Sequence, residues 1–268
     1  FGTDGIRGIP NESLTREIVS KVCSSVEKIL MPKTIALIAD TRNSSEIIST
    51  WISDGFSSDV IIFNYGILPS GSMPILLSEL NHDMGIIISA SHNPSEYNGI
   101  KLIDKNGSKL TDEVEVLIEE TMETIEFPQK SSVVEDSDTG YENYKNFLDS
   151  INDIDFSNFN LVIDSANGAA YKIIRDIIPV NDCIATFIAN EPNGTNINEN
   201  SGATDTKNLI EIMKEGQLGI SFDGDADRLI MIDENKEVAN GDVIIALLAT
   251  YLSEIKKLDK ESVVSTVM

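Results

Sequence analysis

Residues 218–232, Leu-Gly-Ile-Ser-Phe-Asp-Gly-Asp-Ala-Asp-Arg-Leu-Ile-Met-Ile, set Asp223, Asp225 and Asp227 at alternate positions between two short apolar runs. Apolar runs of this length bounded by turn residues read as strands, here Leu218–Phe222 and Leu229–Asp233. In an extended segment side chains alternate with period two, so the three carboxylates are expected on one side, where they make a site for a hard cation. The bland alternative is a solvated acidic turn, but such a turn rarely sits between LGISF and LIMI. An EF-hand loop starting at Asp223 would also match at Asp225, Asp227, Ile230 and Glu234. Its sixth position needs glycine for the sharp turn and holds Arg228, and its flanks should be helices. A phosphatase of the DxDx kind would instead phosphorylate Asp223 directly.

The same alternation recurs outward from this loop. Upstream, Thr34–Ala39, Asp59–Phe63, Gly85–Ser89 and Gly99–Asp104 read as strands, with helices through Trp51, at Ser72–Leu80 and at Thr111–Thr124. Asn43 and Glu46 make a capping box for the first of these helices. Residues 126–140, EFPQKSSVVEDSDTG, are rich in Pro, Ser and Asp and read as a linker or domain edge. Beyond it come strands Leu161–Asp164 and Ile184–Ile188, helices Gly168–Asp176, Asp205–Glu215 and Val243–Lys257, and a closing strand Val263–Val267. The expected class is α/β: two consecutive domains with mixed, mostly parallel sheets, plus the start of a third. The chain begins at Phe1 and stops at Met268 directly after an apolar run, so both ends read as trimmed.

Composition excludes several function classes. The 268 residues are 41% hydrophobic and 24% charged, as expected of a folded soluble chain. A net charge of −24 repels nucleic acid and anionic lipid. No stretch approaches the ~18 apolar residues of a membrane span. Cys23 and Cys183, far apart, offer neither a disulfide framework nor a thiolate metal site, which favours a reducing compartment.

A second candidate is Ser91, in Ser89-Ala90-Ser91-His92-Asn93-Pro94, directly after a strand. In open α/β sheets chemistry gathers at the carboxyl ends of strands, so Ser91 is placed to act as a nucleophile or phosphate carrier. Its presence argues against direct phosphorylation of Asp223. A Ser-His hydrolase is disfavoured: there is no GxSxG, His92 should point away from its neighbour, and His82, in an Asn-His-Asp turn, reads as exposed. Asn98-Gly99-Ile100-Lys101 puts a lysine close by. Phe1-Gly2-Thr3-Asp4-Gly5-Ile6-Arg7-Gly8 flanks an arginine with glycines, which let backbone approach an anion. Arg42, after the strand Thr34–Ala39, is either a further anion ligand or a surface charge at the start of a helix.

Together FGTDGIRG, SASHNP with NGIK, and DGDADR stand in the order and spacing of the α-D-phosphohexomutases, and the chain resembles the first half of one. FGTDGIRG and Glu191-Pro192-Asn193-Gly194-Thr195-Asn196-Ile197-Asn198 are most similar to the bacterial phosphoglucosamine mutase branch of that family. Ser165, in Asp164-Ser165-Ala166-Asn167-Gly168, stands where related sequences often carry cysteine. The resemblance implies a phosphoserine-loop domain over 1–138, a metal-loop domain over 139–239 and the opening of a third over 240–268. It makes Ser91 the phosphoserine. One Mg²⁺ would be held by Asp223, Asp225, Asp227 and a Ser91 phosphate oxygen, with Lys101 and Arg7 as catalytic cations. His92, Asn93, Arg228 and Arg42 would contact phosphate. Three aspartates, a phosphoserine of about −2 and one Mg²⁺ leave the site near −3, so local cations are obligatory. Three carboxylates are more than Mg²⁺ usually takes, so Mn²⁺ and Ca²⁺ are also candidates. The implied reaction is a cytoplasmic interconversion of glucosamine 6-phosphate and glucosamine 1-phosphate through a bisphosphate. A phosphomannomutase or phosphoglucomutase, or a non-catalytic cation-binding fragment, remains an alternative, and the oligomeric state is left open.

Overall fold

The structure, a computed structural model, describes residues 1–2, 5–127, 131–152, 154–178 and 183–265. The first unit contains β1 (Ile6–Gly8), α1 (Arg16–Leu30), β2 (Thr34–Ala39), α2 (Ser45–Gly55), β3 (Ile61–Ile67), α3 (Met73–Leu80), β4 (Met84–Ile88), β5 (Asn98–Asp104), α4 (Asp112–Thr124) and β6 (Val133–Asp136). Its six strands run in the order β1-β5-β4-β2-β3-β6. The stretch from β4 to β6 is parallel, while β5 and β1 are antiparallel additions at one edge.

The period of two in β2 builds both faces of this sheet. Ile35 and Leu37 pack with Val19, Val22, Cys23 and Val26 of α1, Ile48, Trp51 and Ile52 of α2, and Ile118 of α4. Ala36 and Ile38 face Met73, Leu76 and Leu77 of α3 on the other side. Burial of each such aliphatic side chain stabilises by ~1.5–3 kcal/mol before the entropy of ordering is counted. On α1, Thr15 caps the first turn by accepting from the Ile18 amide at 3.3 Å. Buried Ser20 and Ser24 donate to the carbonyls of Trp51 and Gly55 on α2. The two helices meet so closely that a Cβ on Gly55 would lie 2.4 Å from Cys23 Cβ.

The second unit contains α5 (Thr139–Ile151), β7 (Asn160–Asp164), α6 (Ile173–Ile177), β8 (Ile184–Ile188), α7 (Lys207–Ile212), β9 (Leu218–Phe222), β10 (Leu229–Ile232), β11 (Val238–Ala239) and α8 (Gly241–Glu254). Its five strands run β11-β10-β9-β7-β8, with β9, β7 and β8 parallel. The chain is thus α/β with two mixed sheets. Among the described residues, no helix is long and apolar enough to cross a membrane.

Several local expectations are corrected. The polar stretch 126–140 contains β6, which pairs in parallel with β3. Ser44 rather than Asn43 precedes α2, no side chain caps it, and the Asn43 amide donates to Gly194 O of the second unit. His82 is buried, with Nε2 2.7 Å from the Tyr65 hydroxyl. α6 and α7 are single short turns of helix, shorter than their apolar spacing predicts. Of the closing strand, 263–265 lie outside any strand, and 266–267 fall outside the described residues. α8 has no buried residue, and Leu247 is 62% exposed.

Candidate functional site

The site forms where the carboxyl ends of the parallel strands of both units meet. β4 ends at Ile88, and Ser89 donates its hydroxyl to Asp40 at the end of β2. The same Ser89 oxygen accepts from the Ser91 amide at 2.9 Å. This local ladder turns the chain sharply, and Ser91 takes a left-handed φ of 51° that a non-glycine residue adopts only where its surroundings enforce it. Ser91 is 1% exposed, and its Oγ donates to Asp223 Oδ2 at 2.6 Å.

Asp223, Asp225 and Asp227 lie on the hairpin loop between β9 and β10, and ligand oxygens from all three fall within 4.8 Å of one another. Their convergence comes from the turn and not from a pleat: the Ala226 amide bonds back to Asp223 O, and Ala226 is left-handed at φ 58°. Both flanks are strands and Glu234 lies beyond the far end of β10, so the EF-hand geometry is absent.

Lys101, on β5, reaches Asp225 Oδ2 at 2.8 Å and Asp227 Oδ2 at 3.3 Å. Burial, reinforced by the Asp225 charge, pushes Asp223 up to about 6. Burial acts the same way on Asp225, but the Lys101 charge with hydrogen bonds from Lys101 and Ser70 holds that carboxyl below its ordinary value. Asp225 Oδ1 is buried without a partner. An orphaned carboxylate oxygen beside two converging carboxylates is the donor set a hard divalent cation requires, so these residues fit Mg²⁺.

A cleft of about 570 Å³ opens over Ser91, walled by Arg7 of β1, Asp227 and Arg228, with Phe1 and Ile6. Within FGTDGIRG, Thr3 and Asp4 lie outside the described residues. His92 Nδ1 stands 3.4 Å from Ser91 Oγ, so it does not point away as expected, yet Asp223 is the far closer partner. Burial with the charges of Arg228 and Arg7 lowers the His92 pKa, which keeps the ring neutral.

Arg42 is placed differently from both sequence alternatives. It is 2% exposed, pairs with Asp40, and donates from Nη2 to Ser91 O at 3.1 Å and to Asn93 O at 2.6 Å. It lines a separate cleft of about 550 Å³ with Asp40, Asn43 and Glu46 and does not line the cleft above Ser91, so its grip is on backbone. Asn93 contributes that carbonyl.

Two further residues escaped the sequence. Ser70, between β3 and α3, donates its amide to Asp225 O at 2.9 Å and its hydroxyl to Asp225 Oδ2 at 2.8 Å. Asn198 donates from Nδ2 to Ser91 O and Asn93 O. Pro69-Ser70-Gly71 is an ordinary turn signal. Asn198 ends the stretch EPNGTNIN, whose similarity to the mutase branch was the only pointer to it.

Residues 1–129 match the family model for phosphoglucomutase/phosphomannomutase alpha/beta/alpha domain I, and residues 141–237 the model for domain II. The chain is 39% identical over 272 residues to a phosphoglucosamine mutase of Thermotoga petrophila and 37% identical over 283 residues to one of Alkaliphilus oremlandii. Both alignments cover 100% of the chain and 63% of the relative. In fold it is similar to a putative phosphomannomutase from Thermus thermophilus, with a TM-score of 0.84 at 21% identity over 95% of this chain and 61% of that one. The chain belongs to the phosphoglucomutase/phosphomannomutase family, the α-D-phosphohexomutases.

Proposed function

We propose that the chain supplies the phosphoserine and cation-binding domains of a phosphoglucosamine mutase, which interconverts glucosamine 6-phosphate and glucosamine 1-phosphate. The observation that carries this reading is the 2.6 Å approach of Ser91 Oγ to Asp223, beside two more carboxylates and under a cleft flanked by Arg7 and Arg228. Branch-level identity to two mutases of that name supports the sugar.

Asp223, Asp225 and Asp227 would hold one Mg²⁺, which when bound draws charge from the phosphoryl oxygens. The rest belongs to the chain's own residues. Phosphorylated Ser91 gives its phosphoryl group to O1 of glucosamine 6-phosphate: the Oγ–P bond breaks, the O1–P bond forms, and the O1 proton passes to a base. Lys101 is the candidate for that base, a role its ammonium, paired with Asp225 and Asp227, can take only after giving up a proton, and Arg7 and Arg228 steady the charge spread over the equatorial oxygens. The 1,6-bisphosphate turns over, and its O6 phosphoryl group returns to Ser91: the O6–P bond breaks, the Oγ–P bond forms, the serine hydroxyl gives up its proton and O6 takes one up. His92, kept neutral, and the Asn93 backbone frame the loop that carries the reacting serine.

The chain spans 63% of the length of the relatives it matches. By family resemblance the grip on the non-reacting phosphate lies in the remainder, and binding energy from that remote group lowers the barrier at the reacting one. The 268 residues alone are therefore expected to accept phosphate on Ser91 but to turn over orders of magnitude more slowly than a complete mutase. The test is a mass measurement on the untruncated protein after incubation with a hexose 1,6-bisphosphate and Mg²⁺, followed by addition of glucosamine, glucose and mannose 6-phosphates side by side. Phosphate on Ser91 that discharges preferentially to the amino sugar supports the reading. Absence of phosphate on Ser91, or equal discharge to all three sugars, counts against it.

A further inference from the structure

From the second domain, Asn198 holds the backbone of the nucleophile loop. Its Nδ2 donates to Ser91 O at 2.9 Å and to Asn93 O at 3.0 Å. These are the same two carbonyls that Arg42 Nη2 grips from the first domain. Two donors from different domains thus close on one pair of acceptors. The placement is itself enforced: Asn198 has a left-handed φ of 59°, and its amide donates to Ala166 O at 2.9 Å. Ser91 needs such restraint because its own φ of 51° is unfavourable for a residue with a Cβ.

We infer that Asn198 is a positioning residue that latches the Ser91–Asn93 backbone to the second domain, so that the serine is aimed only while the two domains are docked. The phosphoryl-transfer part of this inference rests on the function proposed above; the latch itself does not. Both carbonyl oxygens carry negative partial charge close to where a phosphate dianion would sit. Turned toward Arg42 and Asn198, they are withdrawn from it. Released, the loop can relax toward ordinary φ values, and a small misplacement of Oγ lowers the rate of transfer without weakening substrate binding.

Two substitutions separate a donor from a space-filler. Asn198→Gly tolerates the left-handed backbone and removes the donor. Asn198→Asp keeps size and backbone preference but turns an acceptor on two carbonyls. Hydrogen exchange over residues 89–95 reads the latch directly, and phosphorylation of Ser91 by α-glucose 1,6-bisphosphate, followed by intact mass, reads its consequence. The expected result is exchange roughly tenfold faster in both variants. The maximal phosphorylation rate should fall roughly ten- to a hundredfold, with the half-saturating bisphosphate concentration unchanged. Asn198→Asp should be at least as impaired as Asn198→Gly.

Unaltered exchange in both variants overturns the latch even if wild-type Ser91 is phosphorylated. A nearly normal Asn198→Asp beside an impaired Asn198→Gly also overturns it, because that pattern belongs to a residue that only fills space. Faster exchange in both variants, with no phosphate on wild-type Ser91, upholds the latch and removes the mutase reading.

Discussion

The Lys101 ammonium lies 2.8 Å from Asp225 Oδ2, across the junction between the two domains, and is itself buried. One cation of the first domain therefore neutralises part of a three-carboxylate loop of the second. A divalent cation entering that loop competes with the ammonium for the same oxygens. Lys101→Met removes the competitor, and Mg²⁺ or Mn²⁺ binding is expected to tighten about tenfold, in line with the loss of one charge-assisted hydrogen bond. Transfer from phosphorylated Ser91 should nevertheless slow by roughly a hundredfold or more, because Lys101 is also the candidate base. Calorimetry and single-turnover discharge measure the two effects separately. Weaker cation binding would show that Lys101 orders the carboxylates rather than competing for them, and an unchanged discharge rate would remove its role in proton transfer.

Gly224 stands where the two functional loops touch. A Cβ there would lie 2.6 Å from Ser91 O and 2.9 Å from Asn198 Nδ2, and neither neighbour can retreat without breaking the latch. Gly224→Ala is expected to cost ~1–3 kcal/mol of stability through overpacking. It should also abolish phosphorylation of Ser91 with little change in far-ultraviolet circular dichroism. Gly71→Ala is the control, since the nearest atom to its new methyl is Tyr144 Oη at 3.7 Å. Equal behaviour of the two variants in thermal melts and phosphorylation would refute the close approach.

The sequence made these strands legible where burial and alternation coincide. The bounds of β2 are legible because Thr34–Ala39 is apolar on both faces between the polar Lys33 and Asp40. β6 was hidden because all four of its residues are exposed and its flanks are polar; only hydrogen bonding to β3 makes it a strand. Ser91 and the three aspartates stood out by local pattern. Ser70 and Asn198 did not, because each acts on a residue more than a hundred positions away and nothing beside it in the chain marks that partnership. Arg42 was legible as a functional residue, but its direction, toward backbone carbonyls, is a tertiary fact.

Ser70 offers a third test. Its hydroxyl bonds Asp225 Oδ2 at 2.8 Å and its amide bonds Asp225 O at 2.9 Å, so Ser70→Ala removes one of two restraints and leaves the backbone in place. Loss of one hydrogen bond to a carboxylate costs ~1.5–3 kcal/mol, which corresponds to a roughly ten- to hundredfold fall in cation affinity if that bond aims the ligand. Ser70→Thr should restore it. Calorimetric titration with Mn²⁺ decides, and wild-type affinity in Ser70→Ala would mean that the backbone bond and Lys101 together fix Asp225 without the hydroxyl.

The pH dependence of stability should carry a signature from His82. The ring is buried against Tyr65 and Phe63, its Nε2 meets the Tyr65 hydroxyl at 2.7 Å, and its Nδ1 has no partner. Burial lowers its pKa below 6.5, opposed by the charge of Asp83. The unfolded chain therefore binds a proton at a higher pH than the folded one. Stability from this group is fully present above pH 6.5 and is lost as pH falls toward the lowered folded value. His82→Gln keeps a hydrogen-bond partner for the Tyr65 hydroxyl and cannot titrate, so its melting temperature should fall less steeply than that of the wild type as the pH is lowered from 6.5. The carboxylates titrate in both proteins and cancel in the difference between the two curves. Parallel curves for the two proteins over that range would show that folding leaves the His82 pKa where it is in the unfolded chain, contrary to its burial.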